Sequence, residues 1–405
     1  MTEIANTPEL RFPNYENSWF SYKLNDISER VTRKNKNLES QRPLTISGQL
    51  GLIDQIEYFN KSVSSKNLTG YTLIKKGEFA YNKSYSNGYP LGAIKKLERY
   101  DLGILSSLYI CFSFDENIDK SFMKNYFEST KWYREVANIA VEGARNHGLL
   151  NIPVNDFFNI NINLPIQYEQ EKIGEFFSKL DRQIELEEQK LEKLEEQKKG
   201  YMQKIFSQEL RFKDKNGNEY PEWEVIKLKD ILSERKEYAS KIGNYPHATL
   251  STSGISLKSD RYNRDFLVKD KNKKYKVTIM NDICYNPANL KFGVITRNHI
   301  GSVIFSPIYI TFEVNNAHSP LFIELLVTRN DFINRVRKYE EGTVYERMAV
   351  KPEDFLNYET KIPCLEEQEK IGNFFSKLDE LINKQNQKID GLKKRKRGFL
   401  QKMFV

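Results

Sequence analysis

Two stretches of the chain repeat apolar residues in alternating steps of four and three. In the first, Ile173, Phe177, Leu180, Ile184, Leu191 and Leu194 keep that spacing, interrupted by Glu187 and then Lys198, and it continues to Tyr201 and Ile205. In the second, Ile371, Phe375, Leu378, Ile382, Ile389 and Leu392 keep it, interrupted by Gln385 and Lys396, and it runs on to Phe399 and Met403. This is the spacing of a heptad seam. Pro165 and Pro363 precede the two stretches and no proline follows inside either, which suits a strand-to-helix junction. The pattern predicts two helices of roughly 38 residues, ~57 Å each at 1.5 Å per residue. A helix this long with a narrow apolar stripe needs a partner, and the nearest is its own duplicate. We expect an antiparallel intramolecular pair; pairing between chains, or helices that only cover their own domains, are the alternatives.

Outside these stretches the pattern changes. "YTLIKKGEFAYN", "LGILSSLYICFSF", "FGVITRN" and "GSVIFSPIYITFEV" are β-branched and aromatic runs bounded by Gly, Asn and Pro, and predict strands. Residues 120–140 and 320–339 carry helical spacing. The expected fold class is α+β: two mixed globular units, each with a curved antiparallel sheet and a few short helices, separated by the two long helices.

The two halves are also alike letter by letter. "EQEKIGEFFSKLD" (169–181) returns as "EQEKIGNFFSKLD" (367–379), an offset of 198 that holds to Gly200 and Gly398. "ELRF" stands at 9–12 and at 209–212, "WFSYKLNDISER" (19–30) echoes "WEVIKLKDILSER" (223–235), "SLYICF" (107–112) echoes "PIYITF" (307–312), and "NDFFNININLPI" (155–166) echoes "EDFLNYETKIPC" (353–364). The chain is a tandem duplication with pseudo-two-fold character. Its expected segments are a globular domain at 1–166, a helix at 167–208, a second globular domain at 209–364 and a second helix at 365–405. The helices have stayed nearly identical in their first half, whereas 31–79 and 236–283 share little, as do 113–140 and 315–340.

Composition narrows the classes. With 39% hydrophobic and 13% aromatic residues among 405, disorder is excluded for most of the chain. No run approaches a membrane span, and the N-terminus lacks the apolar core of a secretory signal. Cys111, Cys284 and Cys364 are widely spaced and read as reduced thiols, pointing to the cytoplasm. The four histidines are scattered, without metal spacing, and no nucleotide loop, zinc motif or nucleophile elbow is present. "NPAN" (286–289) lacks the second proline and the aromatic of an amino-methyltransferase loop. The net charge of +8 permits nucleic-acid binding without demonstrating it.

What the globular units do offer is basic, amide and aromatic residues in turns. Arg and Lys grip guanine edges, Asn and Gln adenine edges, and further lysines take phosphates. The candidates in the first unit are Arg33, Lys34, Lys36, Asn37, Arg42, Lys83, Tyr85, Ser86, Asn87, Arg145, Asn146 and His147. In the second they are Arg235, Lys236, Arg261, Arg264, Lys273, Lys274, Asn289, Lys291, Arg297, Tyr345 and Arg347. The "KKRKR" run (393–397) reads first as a solvated helix face or partner contact, and second as a phosphate contact.

The duplicated "EQEKIGEFFSKLDRQIELEEQKLEKLEEQKKGYMQKIFSQELRF" resembles the conserved-region helix of specificity subunits of type I restriction–modification enzymes. "LPIQYEQEKIG" and "IPCLEEQEKIG" resemble the points where that family's target recognition domains enter their helices. The resemblance covers the whole chain, strongly at 165–212 and 363–405 and weakly inside the recognition domains. It implies a non-catalytic bacterial, cytoplasmic subunit that binds double-stranded DNA at an asymmetric bipartite site, with the helices as a spacer ruler. It further implies two docked methyltransferase subunits acting on adenine N6, and restriction–translocase subunits. S-adenosylmethionine, ATP and magnesium would belong to those partners, with no cofactor on this chain. The competing readings are a coiled-coil protein adaptor and the recognition portion of a fused restriction–methyltransferase. Against the latter stand the Met1 start and the missing catalytic motifs.

Overall fold

The computed structural model describes residues 6–86, 88–140, 150–240, 245–258, 274–339 and 349–405. The chain divides into two compact units, residues 1–190 with 385–405 and residues 191–384. Each unit therefore owns one globular domain, the first half of one long helix and the second half of the other.

In the first unit a four-stranded antiparallel sheet runs in the order Ser28–Arg30, Tyr109–Phe114, Phe79–Asn82, Ala93–Lys96. Its two central strands are apolar on both faces because both faces are covered. Phe79, Tyr81, Ile110, Phe112 and Phe114 point into the main core, while Ala80 and Cys111 point into a smaller cluster with Leu44, Leu52 and Ile74. Two ribbons, Leu44–Ser47 with Gly51–Asp54 and Thr72–Lys75 with Leu102–Leu105, carry much of that second cluster. A third pairs Phe20–Lys23 with Asn161–Leu164 at the entry to the long helix.

The second unit repeats the plan. Its sheet order is Leu232–Glu234, Ile310–Val314, Ile283–Tyr285, Ile295–Arg297. Ile283, Tyr285 and Phe312 face the main core and Cys284 the smaller one. The ribbon Ala248–Ser251 with Gly254–Leu257 answers the first unit's hairpin, and Glu224–Lys227 with Glu359–Ile362 answers its entry ribbon. Strand Tyr238–Ser240 adds itself to Lys274–Thr278 and Val303–Phe305. The helical stretches foreseen at 120–140 and 320–339 begin as Lys120–Glu128, capped by the Asp119 carboxylate on the Phe122 amide, and Pro320–Thr328, with proline in the first turn.

The long helices are Gln167–Phe206 and Leu365–Lys402. Within the first unit they run antiparallel: Leu180 and Ile184 pack with Leu392 and Phe399, and Lys396 reaches Asp181 at 2.6 Å. Within the second, Lys198 meets Asp379 and Tyr201 packs edge-on to Phe374. Leu191, Leu194, Leu378 and Ile382 are half-buried and Ile389 is buried. The seam read from spacing needs one correction. Ile173 and Phe177, and likewise Ile371 and Phe375, pack into the core of a globular unit, because each helix begins against a domain. None of the described helices is long and apolar enough to cross a membrane.

Candidate nucleic-acid interface

The exposed loops of each unit rest on a framework that fixes where they start. In the first, Asn35 is fully buried; its amide donates to the Ser40 carbonyl at 2.8 Å and its oxygen accepts from the Ser40 amide at 3.1 Å. That clamp pushes Lys34, Lys36 and Asn37 out to solvent. Arg33 does not join them, since Nη2 donates to both Glu78 oxygens at 2.8 Å. Arg42 lies over the Tyr100 ring at 4.4 Å and 3.6 Å from Asp54. Lys83 turns inward toward the Ile152 carbonyl at 3.4 Å, and burial lowers its pKa. Tyr85 and Ser86 are exposed in the next turn, which Tyr89 ties to the neighbouring hairpin by donating to the Gly48 carbonyl at 2.8 Å. The exposed Leu50 sits at the tip of that hairpin.

In the second unit, Arg235 donates from Nε and Nη2 to the buried Asp282 carboxylate at 2.8 and 3.0 Å. That hydrogen bond is the main reason its pKa rises further. Asp282 also accepts from the Ile279 amide and the Thr278 hydroxyl, so the arginine completes a framework knot. Arg297 is likewise held, by Glu324 at 2.9 Å and Asn281 at 2.8 Å. As positioned, Arg33, Arg235 and Arg297 serve internal partners. Lys236 and Lys274 are exposed. Asn289 and Lys291 lie on the short turn Pro287–Phe292, which begins with the Asn286 side chain on the Ala288 amide and ends at Gly293 with φ 77°. Lys291 is exposed over the exposed Phe292 ring, an aromatic surface that the loop composition did not single out. Asn87, Arg145, Asn146, His147, Arg261, Arg264, Lys273, Tyr345 and Arg347 lie outside the described residues.

The repeated motifs turn out to meet each other. Arg11 of the first "ELRF" grips the fully buried Glu169 of the first "EQEKIG" with two nitrogens at 2.7 Å. Arg211 grips Glu367 at 3.2 and 2.7 Å. Phe12 packs edge-on to Phe176 and Phe212 to Phe374. One residue on, Gln170 donates to the Pro165 carbonyl and accepts from the Asp119 amide; Gln368 does the same with Pro363 and Ser319. The duplicated letters thus encode the joint between each loop-bearing domain and its helix. Among the described residues no group of His, Cys, Asp and Glu could hold a metal ion, and burial pushes the Cys111 and Cys284 thiols up to about 12.

The family described as type I restriction modification DNA specificity domain matches residues 3–196. Two relatives come from Methanocaldococcus jannaschii. The putative type I restriction enzyme MjaX specificity subunit is 29% identical over 221 residues, 49% of this chain and 50% of the relative. The type I restriction enzyme MjaVIII specificity subunit is 23% identical over 318 residues, 72% of this chain and 68% of the relative. The chain thus spans about half the length of the first relative and about two thirds of the second. A solved S subunit of a type I restriction–modification system from M. genitalium shares the fold at a TM-score of 0.56 and 16% identity, covering 98% of this chain and 99% of that one.

Proposed function

We propose that the chain is a specificity subunit of a type I restriction–modification enzyme and that each globular unit reads one half of a bipartite, asymmetric DNA site. The observation that carries this is one framework bearing two different loop sets. Sheet order, entry ribbon and the Arg–Glu joint are the same in both units, while the loops projected from them differ in sequence. A scaffold that stays fixed while its surface loops diverge suits two readers of different base sequences. Exposed Lys34, Lys36, Asn37, Arg42, Tyr85 and Ser86 in one unit, and exposed Lys236, Lys274 and Lys291 with half-buried Asn289 in the other, are the described candidates for contact. A protein-binding adaptor without sequence reading is not favoured, because the matching family is a DNA specificity domain.

In this reading the subunit works with partner restriction–modification subunits in the cytoplasm. Two methyltransferase subunits dock on the helix-bearing scaffold and methylate adenine N6, one on each strand; restriction–translocase subunits add cleavage. S-adenosylmethionine, ATP and magnesium act on those partners, and the paired helices set the spacer. Genome-wide mapping of methylated adenines, with and without this gene, tests it. A bipartite motif that disappears with the gene is the expected result; an unchanged methylation pattern overturns the reading.

A further inference from the structure

The two helices are near copies over their first halves, yet at their crossing they are unlike. Glu187 and Gln385 are sequence counterparts, and they touch: the Gln385 amide donates to Glu187 Oε2 and to the Glu187 carbonyl, both at 2.8 Å. Within the first unit, counterpart positions of the two helices thus face each other. Lys388 and Lys190, themselves counterparts, both reach Glu187 Oε1, at 2.9 and 3.2 Å. Gln385 first and Lys388 next hold the Glu187 carboxyl down at about 2. Beside this, Lys393 pairs with Glu188 at 2.6 Å.

A carboxylate only accepts hydrogen bonds, so it needs a donor opposite, and the glutamine amide supplies one. The match fails for like with like. In a first helix folded on a copy of itself in the same register, Glu187 meets Glu187. Glu188 meets Glu195, the counterpart of Lys393, at two symmetric places. By contrast, the contact between Lys396 and Asp181 has the counterpart contact between Lys198 and Asp379, and survives either pairing. The discrimination therefore sits at 187 and 188.

We infer that Glu187 and Glu188 key the first long helix to a partner helix carrying a glutamine and a lysine at the places of Gln385 and Lys393, and turn it away from a second copy of itself. Like-charge contacts along a helix seam are a recognised means of choosing partners.

The test uses three forms of the full chain, compared by thermal unfolding and sedimentation. Q385E/K393E puts the first helix's residues on the second, and its midpoint is expected to fall by about 4 °C or more. Adding E187Q/E188K exchanges the pairs completely. Because Lys190 and Lys388 are counterparts, the carboxylate introduced at position 385 then finds Lys190 where Glu187 found Lys388, and the midpoint is expected to return to within about 2 °C of the parent. If Q385E/K393E fails to fold, recovery in the fourfold exchange still supports the key. No fall in the first variant, or no recovery in the exchange, overturns it. The readout involves no DNA, so its failure is separate from any failure of the sequence-reading function.

Discussion

Arg11 binds the carboxylate of Glu169 through Nε and Nη2, each at 2.7 Å, and that carboxylate is wholly shielded from solvent. A fork-shaped guanidinium on a planar carboxylate is a charge-assisted, two-point contact, and it ties the chain's ninth to twelfth residues to the start of a long helix. Arg11→Ala strands a buried charge. The expected cost is ~3–5 kcal/mol, read by urea unfolding through Trp19 and Trp132 fluorescence. Arg11→Lys is expected to recover only part of it, since an ammonium is a single-point partner. A loss below ~1 kcal/mol in the alanine variant would show that the joint is not held by this pair.

The glycines of the long helices separate into two kinds. A Cβ on Gly174 would lie 2.4 Å from Asp119 Oδ1 and 3.0 Å from the Phe122 amide nitrogen; on Gly372 it would lie 2.8 Å from Leu321 Cβ. Approaches this close, to a capping carboxylate, a backbone amide and a Cβ, leave no room for a methyl group. Gly174→Ala and Gly372→Ala are expected to destabilise by ~1–3 kcal/mol through overpacking. Gly391 has open space around it, and Gly391→Ala is expected to stabilise by ~0.5–1 kcal/mol through helix propensity alone. Opposite signs in the thermal midpoints are the outcome to look for.

These joints show what the sequence disclosed and what it withheld. The heptad steps located Gln167–Phe206 and Leu365–Lys402 because a helix seam is a local signal. "ELRF" and "EQEKIG" each stood out as repeats, yet their contact spans 158 residues and leaves no trace in spacing. The same is true of the hairpins Leu44–Ser47 with Gly51–Asp54 and Ala248–Ser251 with Gly254–Leu257. They fall where the two halves share few letters, since strand pairing requires burial on the right face rather than identical residues. Loop composition named Arg235 and Arg297 as readers, but the carboxylates that engage them lie 47 and 27 residues away.

That difference separates stability from binding. Asp282 is 2% exposed, so Arg235→Ala is expected to cost ~3–5 kcal/mol in unfolding followed at Trp223. Lys34→Ala and Lys36→Ala change exposed side chains and are expected to stay within ~0.5 kcal/mol of the parent in stability. In DNA binding the order reverses if those lysines touch phosphates. Each substitution then weakens all sequences equally and lowers the slope of log affinity against log salt by about one. A change confined to one base of the half-site would instead mark a base contact.

The division of the chain also allows a direct test of whether the helices set the spacer. The first unit ends at Lys190 and resumes at Gln385, so the seams inside both units stay intact when residues enter after Lys190 and after Lys384 together. Seven residues at each point preserve the heptad phase and add ~10.5 Å of helix. If the helices set the spacer, the methylated motif is expected to keep both half-sites and lengthen its gap by about three base pairs, at ~34 Å per turn of DNA. The same insertion in only one helix leaves Glu187, Gln385 or their neighbours without a matched continuation, and is expected to lose methylation. Mapping that returns both half-sites at the parental spacing from the double insertion would remove the helices from the measurement of distance.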